Sequence, residues 1–154
     1  MAAQATVTIR DKKWSVAIAN TPGDLAQGLG GVAGIAPGTG MLFDLGWEQT
    51  IQVTTAPMLF PLDVAFFSNS LVVTEVYRHV DPGYIVTSQL PARYFLEVNA
   101  GELEGINSGD QSSVEPIPPT GVLAMPDWVS AMLDFMGLVV MSICLGGLLK
   151  EVVW

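Results

Sequence analysis

LDVAFF (62–67), SNS (68–70) and LVVTEVYRH (71–79) form the stretch whose reading decides the fold. The first run is short and apolar with one buried-looking carboxylate, and reads as a strand. Ser68-Asn69-Ser70 supplies turn formers, and the following run reads as the partner strand of a hairpin. Asp63 is a carboxylate inside an apolar strand, which is expensive unless it is hydrogen-bonded or paired.

Working outward, the same grammar recurs. ATVTIR (5–10) and WSVAIAN (14–20) alternate apolar and polar residues around Asp11-Lys12-Lys13 and predict a second hairpin. Thr21-Pro22 offers an N-cap with proline at the first helical position, and Leu25, Ala26 and Leu29 lie one turn apart, so one short helix should end near Gly28 to Gly31. Met41-Leu42-Phe43 starts a buried strand, TIQVTT (50–55) alternates until Pro57, and Tyr84 to Thr87 and ARYFLEV (92–98) are further strands. ELEGI (102–106) reads as a helical turn, and Asn107 to Ser113 as a loop. Six or seven short strands with two brief helices predict a mainly β, barrel- or sandwich-like domain over residues 1–114.

EPIPPTGVLAMP (115–126) is too proline-rich for a helix interior and predicts a semi-rigid linker over 115–127. Residues 128–154, WVSAMLDFMGLVVMSICLGGLLKEVVW, are a different material. The run from Trp128 to Leu149 would make a helix of roughly 33 Å, enough to cross a hydrocarbon core of about 30 Å. Trp128 and Trp154 bracket it as an aromatic belt would, which predicts a C-terminal transmembrane helix; the rival reading is an apolar helix docked in a protein interface. Asp134 would lie inside the span and seek a partner or a proton. Ser142 and Gly146 form a small-xxx-small pair that, with Gly137, allows a close helix contact. Asp134, Gly137, Ser142 and Gly146 are therefore the expected contact face toward other protein subunits.

Net charge is −9, and beyond Arg93 a single basic residue, Lys150, stands against eight acidic ones. Such a surface repels a phosphate backbone, so nucleic acid is not an expected partner, and a membrane role would rest on the apolar segment. Cys144 is the sole cysteine, so no intrachain disulfide or cysteine metal cluster can form. The N-terminal MAAQATVTIRDKKW lacks the pattern of a secretory signal. The expectation is a single-pass, tail-anchored protein. Lys150 favours a cytoplasmic C-terminus, whereas moving a folded domain across a membrane is hard, which favours a cytoplasmic domain.

His79, the only histidine, ends a strand; a metal site there would need carboxylates such as Asp81 and Glu75, and the spacing reads better as a turn. No Ser/His/Asp triad can be assembled. The glycines of GLGGVAGIAPGTG (28–40) lack a phosphate-loop lysine and read as turns. No metal, no cofactor and no catalytic residue are expected. Asp63 is read as accepting backbone N–H groups or pairing with Arg93 to fix the fold; the alternative is a ligand pocket built from Asp63, Arg93, Tyr94 and Glu97.

Several motifs carry a resemblance: TPGDLAQGL (21–29), GTGMLF (38–43), PLD (61–63) with Ala65-Phe66, ARYFLEVNAG (92–101), Gly105-Ile106 and Gly109-Asp110. Over roughly Trp14 to Val114 the chain resembles domain-of-unknown-function family 192, a prokaryotic domain. The resemblance implies a mainly β domain with short helices and no particular reaction. Family members usually carry an aromatic, Met, Lys and Asn or Thr run before Pro-Leu-Asp; here those positions fall in Thr54-Thr55-Ala56-Pro57, a departure that favours a scaffold or binding role. The function expected is thus a non-enzymatic, membrane-anchored accessory or structural subunit of a larger membrane assembly, cellular or virion. A small-molecule or carbohydrate-binding domain, or a hydrolase, around Asp63 and Arg93 is the alternative.

Overall fold

The computed structural model describes residues 3–116. Strands β1 (Gln4–Ile9), β2 (Lys12–Ala19), β3 (Thr39–Gln49), β4 (Gln52–Thr54), β5 (Leu62–Phe67), β6 (Val73–Val80), β7 (Ile85–Thr87), β8 (Ala92–Asn99) and β9 (Ser112–Glu115) accompany one helix, α1 (Pro22–Gln27). Seven strands form one sheet in the order β6-β5-β8-β3-β2-β1-β9, and β4 pairs with β7 in a separate ribbon. The domain is mainly β, as expected.

The sheet curls. At its two edges, Val73 N donates to Asp110 O (2.9 Å), Gly109 N to Val73 O (2.8 Å) and Ser112 N to Leu71 O (2.9 Å), so the start of β6 is tied to the approach of β9. That gives a half-barrel with partly bridged edges, rather than two stacked sheets, and it shields edge groups that would otherwise invite pairing. β9 starts where a loop was expected, at Ser112 and Ser113; its alternation of buried and exposed residues spans only four positions, too few to stand out in sequence.

β5 and β8 are the spine. All six residues of β5 are buried, and β8 pairs with β5 on one side and β3 on the other. Side chains alternate across the sheet. One face packs Ala65, Phe67, Tyr94, Leu96 and Val98 with Val7, Ile9, Trp14 and Val16 as the interior of the curl. The opposite face carries Val64, Phe66, Phe95 and Phe43, covered by Ile51, Val53 and Val86 from around the ribbon.

The hairpin at the start closes at Arg10-Asp11, one residue earlier than its basic run suggested, with Ile9 opposite Lys12 and Arg10 at φ 56°. α1 begins as predicted: Thr21 Oγ1 accepts the Asp24 amide (3.2 Å), and Gly28 ends the helix at φ 49°. The crossover containing α1 makes β2 and β3 parallel. The predicted helical turn at 102–106 is a series of hydrogen-bonded turns; Glu102 in it accepts the Trp14 indole N–H (2.7 Å) and the Gly38 amide (3.0 Å).

Among the described residues no helix is long and apolar enough to cross a membrane. The expected spanning segment 128–154, with Asp134, Gly137, Ser142 and Gly146, lies outside the described residues, as does most of the expected linker. Glu115, assigned to that linker from its prolines, instead ends β9.

Candidate functional site

The covered face of the sheet contains a cavity, and its construction starts at β8. Glu97 stands opposite Met41 of β3 and Val64 of β5, on the face shared by Phe95 and Val64. α1 lies over this region because its capped first turn is followed by Leu25, half-buried against Phe43 and its neighbours, and by buried Leu29, which packs with Met58. Gly31 N donates to Pro57 O (2.9 Å), fastening the end of the helix to the loop after β4. That loop is fixed in turn by Thr55, whose hydroxyl donates to Asp81 O (2.7 Å) and accepts the Tyr84 amide (2.9 Å).

The result is a cavity of about 120 Å³ between α1, the β4 loop and the sheet, with Phe43, Phe95 and Met58 in its wall and Glu97 among its lining residues. Phe43 and Phe95 stack with centroids 4.1 Å apart. Gln27, Gln52 and Thr54 are the polar, uncharged members of the lining, and no Lys or Arg is among them. Glu97 is 5% exposed and its Oε2 has no hydrogen-bond partner. Burial pushes its carboxyl up to about 7, because an apolar surrounding disfavours the charged form.

The four residues expected to share one pocket do not line one: Glu97 is in the cavity wall, and Asp63, Arg93 and Tyr94 are not. Asp63 and Glu97 belong to neighbouring strands but to opposite faces, since Asp63 pairs with Val98 and Val64 with Glu97. Asp63 is fully buried and accepts three backbone N–H groups: His79 (2.8 Å), Gly101 (2.9 Å) and Leu103 (2.9 Å). Tyr94 points into the interior of the curl. The Asp63–Arg93 pairing considered from sequence is not formed. Arg93 instead forks onto Asp44, with Nε 2.9 Å from Oδ1 and Nη2 3.1 Å from Oδ2, and donates to Asn69 Oδ1 (2.8 Å). The reason is register: Asp44 lies opposite Tyr94, beside Arg93, whereas Asp63 is at the other end of β8.

Asp44 was not singled out in the sequence, although MLFD carries the same signal as PLD, a carboxylate in a buried run. Arg93 also lines a shallow open groove with Trp47, Glu48 and Asn69. Its guanidinium lies 4.7 Å from the centre of the Tyr94 ring and is held above its usual pKa by the bond to Asp44. His79 Nε2 lies 3.6 Å from Asp81 Oδ1 at the surface, and among the described residues no group of His, Cys, Asp and Glu could hold a metal ion. Thr54 and Pro57, from the stretch where the family's run is replaced, both line the Glu97 cavity.

Two solved structures share this architecture. A proposed transcription regulator from Sinorhizobium meliloti 1021 is 28% identical, with a TM-score of 0.70 over 73% of this chain and 95% of that one. A protein of unknown function from Novosphingobium aromaticivorans DSM 12444 is 22% identical, with a TM-score of 0.65 over 73% of this chain and 84% of that one, a likeness of fold alone. No curated protein matches. The family described as Uncharacterized ACR, domain-of-unknown-function family 192, matches residues 5–114, which is the half-barrel from its first strand to its last; the chain belongs to that family.

Proposed function

We propose that the chain is a single-pass membrane-anchored accessory subunit of a larger assembly, and that its half-barrel is a binding module rather than a catalyst. The observation that carries the binding half is the division of labour among buried charges. Asp63 is spent on three backbone amides and Asp44 on Arg93, whereas Glu97 lines a cavity and carries a buried oxygen with no partner. A hydrolase at this place would need a second acid or base within reach of Glu97, and the lining offers glutamines, a threonine and apolar groups. At about 120 Å³ the cavity is well below the roughly 300–1,000 Å³ of sites for drug-sized ligands, so a sugar ring is a poor fit and a ligand of a few heavy atoms a good one. The anchoring half is supported by the apolar run Trp128 to Leu149 and its flanking tryptophans.

The experiment compares the full chain with a chain ending after Pro116 by membrane flotation and by crosslinking before purification. The full chain should float and carry crosslinked partner subunits, and the shortened chain should do neither. Identical behaviour of the two would overturn the anchored-subunit reading. The description of the Sinorhizobium protein as a transcription regulator gives a second reading, but the net charge of −9 opposes direct contact with nucleic acid.

A further inference from the structure

We infer that the cavity beside Glu97 is a site for a small organic ammonium ion, an alkylamine of a few heavy atoms; this rests on the reading of the half-barrel as a binding module. Glu97 lines the cavity at 5% exposure, and its carboxyl is an incomplete constellation: its buried Oε2 has no donor, and no Lys or Arg in the lining offers the group a positive charge. Complementing it requires a guest that brings its own donors. An ammonium group brings three and the opposite charge, and it converts an unpaired buried carboxylate into a paired one.

The rest of the wall suits the remainder of such a guest. Phe43 and Phe95 are stacked and both line the cavity, and an aromatic face attracts a desolvated cation. Leu25, Leu29, Val53 and Met58 would enclose the alkyl part, and Gln52 and Thr54 provide carbonyl and hydroxyl oxygens able to accept an N–H. Anionic ligands are opposed twice, by Glu97 itself and by a chain of net charge −9, which also raises the local concentration of cations. The volume of about 120 Å³ sets the upper size: methylammonium to propylammonium fit, and amino sugars or nucleosides do not.

The test titrates the full chain in detergent with methylammonium and n-propylammonium, and with the neutral analogue 1-propanol, following backbone amide shifts by NMR. Saturable shifts should be confined to α1, the β4 loop and β8, and propylammonium affinity should rise with pH between 5 and 8 as the carboxyl ionises. Glu97→Gln should weaken ammonium binding about tenfold or more while keeping the cavity shape. Ala26→Trp, at an exposed helical position that lines the mouth, should block it with the fold intact. If 1-propanol binds as well as the ammonium ions and Glu97→Gln changes nothing, the ammonium assignment falls and the binding module stands. If neither kind of guest gives saturable shifts in the wild-type chain, both fall.

Discussion

Asp63 Oδ1 accepts the backbone N–H of His79 at 2.8 Å, across a bulge in which β6 carries one residue more than β5. Leu62 pairs with Val80 and Val64 with Tyr77, so Arg78 and His79 together oppose Asp63, and His79 takes a positive φ of 53°. The bulge leaves an amide without a ladder partner, and the carboxylate supplies one. Its other oxygen holds the Gly101 and Leu103 amides, so one side chain fastens β5, β6 and the turn after β8.

Replacing Asp63 by Ala would therefore strand three amides around a buried site. The expected loss is about 3 kcal/mol or more of stability, read by urea unfolding of the full chain. Asp63→Asn should lie between, since one amide oxygen can still accept. A change under about 0.5 kcal/mol for Asp63→Ala would contradict this account.

Asp44 is fully buried and Arg93 nearly so, hence removing one partner leaves an uncompensated charge. Arg93→Ala should cost about 3 kcal/mol, and Asp44→Leu combined with Arg93→Met should recover much of it. A double-mutant cycle measured by thermal unfolding decides; strict additivity of the two single losses would refute the coupling.

Glu97 gives a pH dependence of unusual sign for a carboxyl. Its pKa rises from 4.5 to about 7 on folding, so between those values the folded state holds more protons than the unfolded one. Stability should then fall as pH rises from about 4.5 to 7 and level off above that. Glu97→Gln should flatten this profile and stabilise the empty protein at pH 8 by something on the order of 2–3 kcal/mol. The check is a series of chemical-denaturation curves at pH 5, 6, 7 and 8, and an unchanged slope in the variant would remove Glu97 as its source. Besides Glu97 itself, the groups facing it from α1, the β4 loop and the neighbouring strands, Met41 and Val64 included, bring no titratable side chain.

Gly40 has no room for a side chain. A Cβ there would run into the carbonyl oxygen of Glu97 and come within 2.9 Å of Val98 Cγ1. Gly40→Ala should push β3 off β8 and cost about 1–3 kcal/mol as overpacking does, with amide exchange in β8 accelerating. Unchanged protection of Glu97 and Val98 would count against it.

Sequence by itself determined most of the strands, though not β9, together with the capped helix and the family, because those rest on local period, turn chemistry and motif order. LDVAFF announced an apolar strand, Thr21-Pro22 a helix start, and Asp63 a carboxylate in need of donors. Tertiary structure decided which donors and which partners. That Asp63 would find a bulge amide rather than Arg93 follows from register between strands far apart in sequence, and register leaves no mark on composition. The same holds for Asp44, which meets Arg93 only because β3 lies beside β8, and for Glu97, whose position on the covered face depends on α1 folding back over the sheet. Glu97 could be named as a candidate from ARYFLEV, but its isolation from any counter-charge is a property of the packed wall around it. Burial is a sum over neighbours, and the neighbours of a β residue are chosen by topology.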